Sequence, residues 1–179
     1  MRIKGVLIAS FLVVLLSPIR IAAETTNEIL PLVRLPAGWR LPREAEVDQA
    51  WRSSDANKYL VVKGNFDGGG GTGVALLLVR GTGSGFAPFV ALKQEAGEPK
   101  VFQVEAINAK EYLAAEGLKL ARSGTYITAC GKGYGCASGE QKSITLSFDG
   151  VEFFKEEGAS RLIYFDPKAQ SFKEAWLSD

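Results

Sequence analysis

The sequence predicts an α+β fold, mainly antiparallel β sheet with two short helices. Apolar runs, alternating or continuous, fill the chain from Tyr59 onward. Turn signals rich in Gly, Asp and Pro separate them. Only two segments, near Arg43–Trp51 and Asn108–Glu116, carry helix signals.

The elements follow in chain order. Arg2 and Lys4 precede the apolar run GVLIASFLVVLLS, which leads to the small residues Ala22 and Ala23. This pattern reads as a secretory signal peptide over residues 1–23, and the run is short for a membrane span. An uncleaved N-terminal anchor is the alternative. Residues 24–58 read as an N-terminal arm and a short helix. Residues 59–179 read as a β-rich domain, and 24–179 form one structural domain. In the arm, LPLVRLPAGWRLP is extended and pinned by proline, with Trp39 as anchor. Pro42 opens the first helix, which carries Glu44 and Glu46 early and the stripe Val47, Ala50 and Trp51.

YLVVK and VALLLV flank the loop NFDGGGGTG, Asn65 to Gly73. The second run is apolar throughout and reads as a central strand buried on both faces. In FAPFVALK, Pro88 implies an edge or a bulge. KVFQVEAI alternates as the next strand. Asn108 with Glu111 forms a capping box for the second helix, and Gly117 ends it in a left-handed conformation. LKLA follows as a short strand; a longer helix running to Arg122 is the alternative, and Gly117 weighs against it. ITLSF-DG-VEFF reads as a two-residue hairpin at Asp149-Gly150, pairing Phe148 with Val151 and Leu146 with Phe153. RLIYF and SFKEAWL form a last hairpin through DPKAQ.

Composition narrows the function. The 179 residues include no histidine. This excludes a Ser-His-Asp triad, a Cys-His dyad and histidine-ligated metals. Loss of residues 1–23 removes three of the 21 basic residues, leaving 18 against 20 acidic, a net charge of −2. That balance argues against nucleic acid and anionic membrane as partners. Cys130 and Cys136, in CGKGYGC, are the two cysteines, and in an exported protein they pair. Their disulfide shapes a five-residue loop whose one large side chain is Tyr134. Lys132 and Tyr134 are therefore the candidate binding residues, offered to a partner by a rigid loop.

The glycine loop carries a different chemistry. Calcium takes six or more oxygens, and alternate positions of a compact loop supply them. KGNFDGGGGTGVALLLV resembles the signature of FG-GAP/VCBS-like calcium loops, found in integrin-type propeller blades and in small exported bacterial proteins. The resemblance covers about one residue in ten. It implies Asn65 and Asp67 as the first two ligands and the Gly71 carbonyl as a main-chain ligand. Gly69 and Gly73 stand where that family has acids, so the implied metal site is degenerate and weak. GTYITACGKGYGC and IYFDPKAQSFKEAWLSD resemble segments of a group of exported bacterial single-domain proteins. That group brings no activity to carry over.

The favoured expectation is an exported, non-catalytic binding protein, periplasmic or secreted, without a cofactor. An inhibitor or immunity-type protein acting on an envelope partner is one version of it. A structural calcium-binding module is the alternative. A carboxylate-dependent cell-wall hydrolase, drawing on Glu95, Glu98, Glu105, Glu152, Glu156 or Glu157, is the third reading.

Overall fold

The structure is a computed structural model that describes residues 33–47, 50–52 and 58–178. The expected signal peptide, the start of the arm and most of SSDANK lie outside the described residues. Among the described residues eleven strands form, all pairing antiparallel. In chain order they are β1 (Trp39–Arg40), β2 (Val61–Gly64), β3 (Gly73–Arg80), β4 (Phe86–Leu92), β5 (Lys100–Gln103), β6 (Glu116–Ala121), β7 (Gly124–Ile127), β8 (Ser143–Leu146), β9 (Gly150–Lys155), β10 (Ser160–Asp166) and β11 (Ser171–Ser178).

Two sheets and a ribbon result. The first sheet runs β1-β3-β4-β5, with β2 also on β3. The second runs β11-β10-β9-β6, and β7 pairs with β8 as a separate ribbon. The main core lies between the sheets, where Leu77, Val79, Phe86 and Val90 meet Leu118, Val151, Phe153 and Ile163. The other face of the first sheet, Val74, Leu76, Leu78 and Phe89, is covered by Val33, Leu35, Trp39 and Leu41 of the arm. β3 is therefore buried on both faces, as its continuous apolar sequence requires. Trp39 anchors the arm edge-on against Phe89, 4.8 Å between centroids. The far face of the second sheet, Ala121, Leu162 and Leu177, is covered by Ile144 and Leu146 of the ribbon.

Among the described residues helix is nearly absent, and both expected helices change. The first shrinks to a 3₁₀ turn over Glu44–Glu46, with Val47 already extended. Glu46 caps the first turn, its carboxylate accepting from Arg43 N–H at 2.7 Å, and it pairs with Arg40, whose guanidinium meets both carboxylate oxygens at 2.6 Å. That pairing holds the Glu46 carboxyl down at about 2. So short a segment gains too few helical bonds to compete. The second is a 3₁₀ segment, Lys110–Ala115, entered from Ala109 with no side-chain cap, so the Asn108–Glu111 capping box does not form. Gly117 is not a left-handed terminator but a strand residue. A Cβ there would meet Phe154 Cζ at 2.8 Å and Tyr59 Cβ at 2.9 Å.

The Asp149-Gly150 hairpin is also overturned. β8 pairs with β7, and β9 pairs with β6 and β10. The dipeptide is a corner between the ribbon and the second sheet. Gly150 is needed for packing, since a Cβ would meet Ile163 O at 2.9 Å. Asp149 is consumed elsewhere: its N–H donates to Asn65 O at 2.9 Å, and its carboxylate accepts from Asn65 N–H at 3.0 Å. Two sheet partners for β9 outweigh one tight turn. Pro88 lies in an inner strand rather than an edge, where β5 has just ended; its carbonyl still accepts from Val104 N–H at 3.0 Å. The last hairpin forms as expected, with Asp166 opposite Ser171.

Candidate functional site

The glycine loop is built to close on itself. Asn65 Oδ1 accepts from Gly68 N–H and Asp67 Oδ1 from Gly69 N–H, each at 3.0 Å. Both side chains thus serve as turn acceptors. Gly68 and Gly70 take positive φ, +76° and +73°. Gly64 and Gly73 face each other across β2 and β3. The Phe66 ring lies against both, within 2.9 Å and 2.7 Å of where their Cβ atoms would be. Phe66 is fully buried in the main core. Phe148 seals the outer side: a Cβ on Gly68 would meet its ring at 2.2 Å. Gly73, where the resembled family carries an acid, is thus a packing glycine. Of the implied ligands, Asn65 and Asp67 carry side-chain oxygens and the exposed part of the loop holds Gly69 and Gly70. Among the described residues no group of three or more His, Cys, Asp and Glu is gathered for a metal ion.

The disulfide loop is built differently. Thr128 starts a short helix, α1 (Ala129–Lys132): its hydroxyl accepts from Gly131 N–H at 3.2 Å and donates to Gln141 O at 2.6 Å. Gly133, φ +92°, ends it, and Tyr134 N–H returns to Ala129 O. Cys130 and Cys136 are bonded, with Cα atoms 4.7 Å apart. Gly131 permits close seating, since a Cβ would overlap Lys142 O at 2.0 Å and meet Ile127 at 2.8 Å. Lys132 reaches the second sheet, where Nζ donates to Leu177 O at 2.8 Å. Of the two predicted binding residues, Lys132 therefore fixes the loop to β11, while Tyr134 stays 60% exposed.

Beside this loop a cleft of about 310 Å³ opens between Thr128–Gln141 and the β10–β11 hairpin. Ile144, Tyr164 and Ala175 give it apolar surface; Glu140 and Glu174 give it acids; Trp176 stands at its side, 45% exposed. Glu174 Oε2 accepts from Arg161 at 3.0 Å, and Arg161 also pairs with Glu105. The guanidinium sits between the Phe153 and Trp176 rings, 4.9 Å from each centroid. Burial pushes the Glu174 carboxyl up, with Arg161 opposing. Across the sheet, burial pushes Glu116 up to about 7. Of the acids considered for hydrolysis, Glu98 lies near Arg34 and Glu105 is taken by Arg161.

Of the residues at this corner, the sequence pointed to Lys132 and Tyr134. It missed Ile127, Glu140 and Glu174. Ile127 carried a signal: it precedes the helix cap in a ribbon strand whose other side chains are polar or aromatic.

A scan of protein-family models, a search of curated proteins and a search of solved structures each gave no match to the chain.

Proposed function

We propose that the chain is an exported, non-catalytic binding protein whose contact surface is the disulfide-framed corner. The observation that carries this reading is the distribution of exposed large apolar side chains. Among the described residues these are Tyr112, Ile127, Tyr134 and Trp176. Ile127 abuts α1, Tyr134 stands on the disulfide loop and Trp176 borders the cleft beside it. Exposed aromatics on a fixed frame are the residues that carry binding energy at protein interfaces. The frame is held by the disulfide, the Thr128 cap and the Lys132–Leu177 bond. An inhibitor or immunity-type role toward an envelope protein is the finer version, and it rests on the export signal in the sequence. The overall label α+β belongs to the same reading, since the helical share is small.

The test is site-specific photo-crosslinking in an envelope fraction. A photoreactive residue at Tyr134 or Trp176 should join one defined protein, and one at Tyr112 should not. Equal products from all three positions, or none, overturn the reading.

A further inference from the structure

The cleft beside the disulfide loop has a wall made of main chain. β11 is the outermost strand of the second sheet. Beyond its ladder with β10, the main chain of Ser171–Trp176 makes no hydrogen bond among the described residues. Lys173, Glu174, Ala175 and Trp176 all line the cleft. Their side chains alternate between faces. Ala175 packs with the outer cluster and Lys173 lies opposite Tyr164 of that cluster, while Glu174 and Trp176 meet Arg161 on the inner face. Four consecutive residues of one strand share a cavity only along the strand's edge, through their peptide groups.

The other open edges differ. β6 is covered by the segment before β2, where Leu118 N–H donates to Tyr59 O at 2.7 Å. β5 spans four residues against the eight of β11. Proteins usually keep exposed edges short or charged, so a long one beside a cleft stands out. The charges along it are already matched: Lys173 pairs with Asp166, Glu174 with Arg161, and Glu140 accepts from Ala137 N–H at 2.9 Å. The remaining chemistry is a row of peptide donors and acceptors above apolar surface from Ile144, Tyr164 and Ala175. Gly139–Gln141 form the opposite wall, so an added chain would lie between that wall and β11.

We propose that the free edge of β11 is a strand-addition site for an extended, largely apolar segment of a partner protein. The segment would bond the peptide groups of Lys173–Trp176 and seat alternate side chains on Ile144, Tyr164 and Ala175. Main-chain bonds supply affinity in this mode and alternate side chains supply selectivity. The proposal rests on the corner being the contact surface and adds how it makes contact.

The test uses the whole purified protein and two end-blocked peptides of about seven residues, alternating Thr and Val, a strand-forming pattern. In the second peptide alternate amides are N-methylated, which removes the donors along one edge. Amide spectra should show saturable shifts at Lys173–Trp176 and Gly139–Gln141 with the first peptide. The second should bind at least about tenfold more weakly, roughly one lost hydrogen bond's worth. No saturable shift, or equal affinity for both peptides, overturns the proposal. So does mass doubling with concentration, accompanied by the same shifts without peptide, because a second copy would then hold the edge. If crosslinking from Tyr134 succeeds while the peptides fail, the contact surface stands and only the strand-addition mode falls.

Discussion

Two loops of this chain are rich in glycine, and each holds a single large aromatic residue. In NFDGGGGTG it is Phe66, fully buried; in GKGYG it is Tyr134, 60% exposed. The first loop uses its glycines to let a ring lie flat across two strands, and turns its polar side chains onto its own peptide groups. The second uses Gly133 and Gly135 at positive φ to turn the chain, and is held from outside by a disulfide and a lysine. Glycine content alone does not separate a structural loop from a presenting one. The direction of the aromatic side chain, fixed by what the neighbouring strands leave open, does.

The widest test of the contrast is removal of the buried ring. Phe66→Ala should cost about 4 kcal/mol, the usual range for a buried Phe, and appear as a lower urea midpoint at unchanged slope. A loss near zero would mean the ring does not close the core. Gly73→Asp comes next, at about 3 kcal/mol. Its Cβ would press on Phe66 at 2.7 Å and Ala91 O at 3.1 Å, and it would bring a charge to a buried strand end. Gly69→Asp, whose Cβ meets only the Asp67 carboxylate at 3.3 Å, should stay within about 0.5 kcal/mol. That variant also sharpens the calcium reading. With a second acid beside Asp67, millimolar calcium should raise its melting temperature if the loop retains ligand geometry. An unchanged melting temperature would end that reading.

The contrast was partly legible in the sequence. The continuous run VALLLV announced a doubly buried strand because burial on both faces leaves no polar position. That Trp39 anchors the arm on the domain was legible too, since Pro and Trp in an arm offer little else, but the sheet it meets was not. The partner of VEFF was not legible. Asp149-Gly150 carries a strong local turn signal, but β9 gains two neighbours by leaving it, and no local pattern counts neighbours. The same holds for Gly73. As a sequence position it reads as a lost ligand; in the fold it is a space reserved for Phe66. At the disulfide corner Tyr134 was found because it is the one large side chain of its loop. The edge of β11 was invisible, since an unpaired strand edge is a property of sheet order.

Two further expected effects lie in the disulfide loop, and together they test its role as a frame. Changing Cys130 and Cys136 to Ser should cost about 2 kcal/mol, because the closed loop is short and its entropy small. Tyr134→Ala should change stability by less than about 0.5 kcal/mol, as a largely exposed side chain. Thermal unfolding measures both. The comparison with Phe66 fails if Tyr134→Ala approaches the cost of Phe66→Ala, since Tyr134 would then be core and not presented. The reading gains if Tyr134→Ala leaves the melting temperature in place while abolishing the crosslink formed from Trp176. A residue that contributes nothing to folding yet decides capture is held at the surface for a partner.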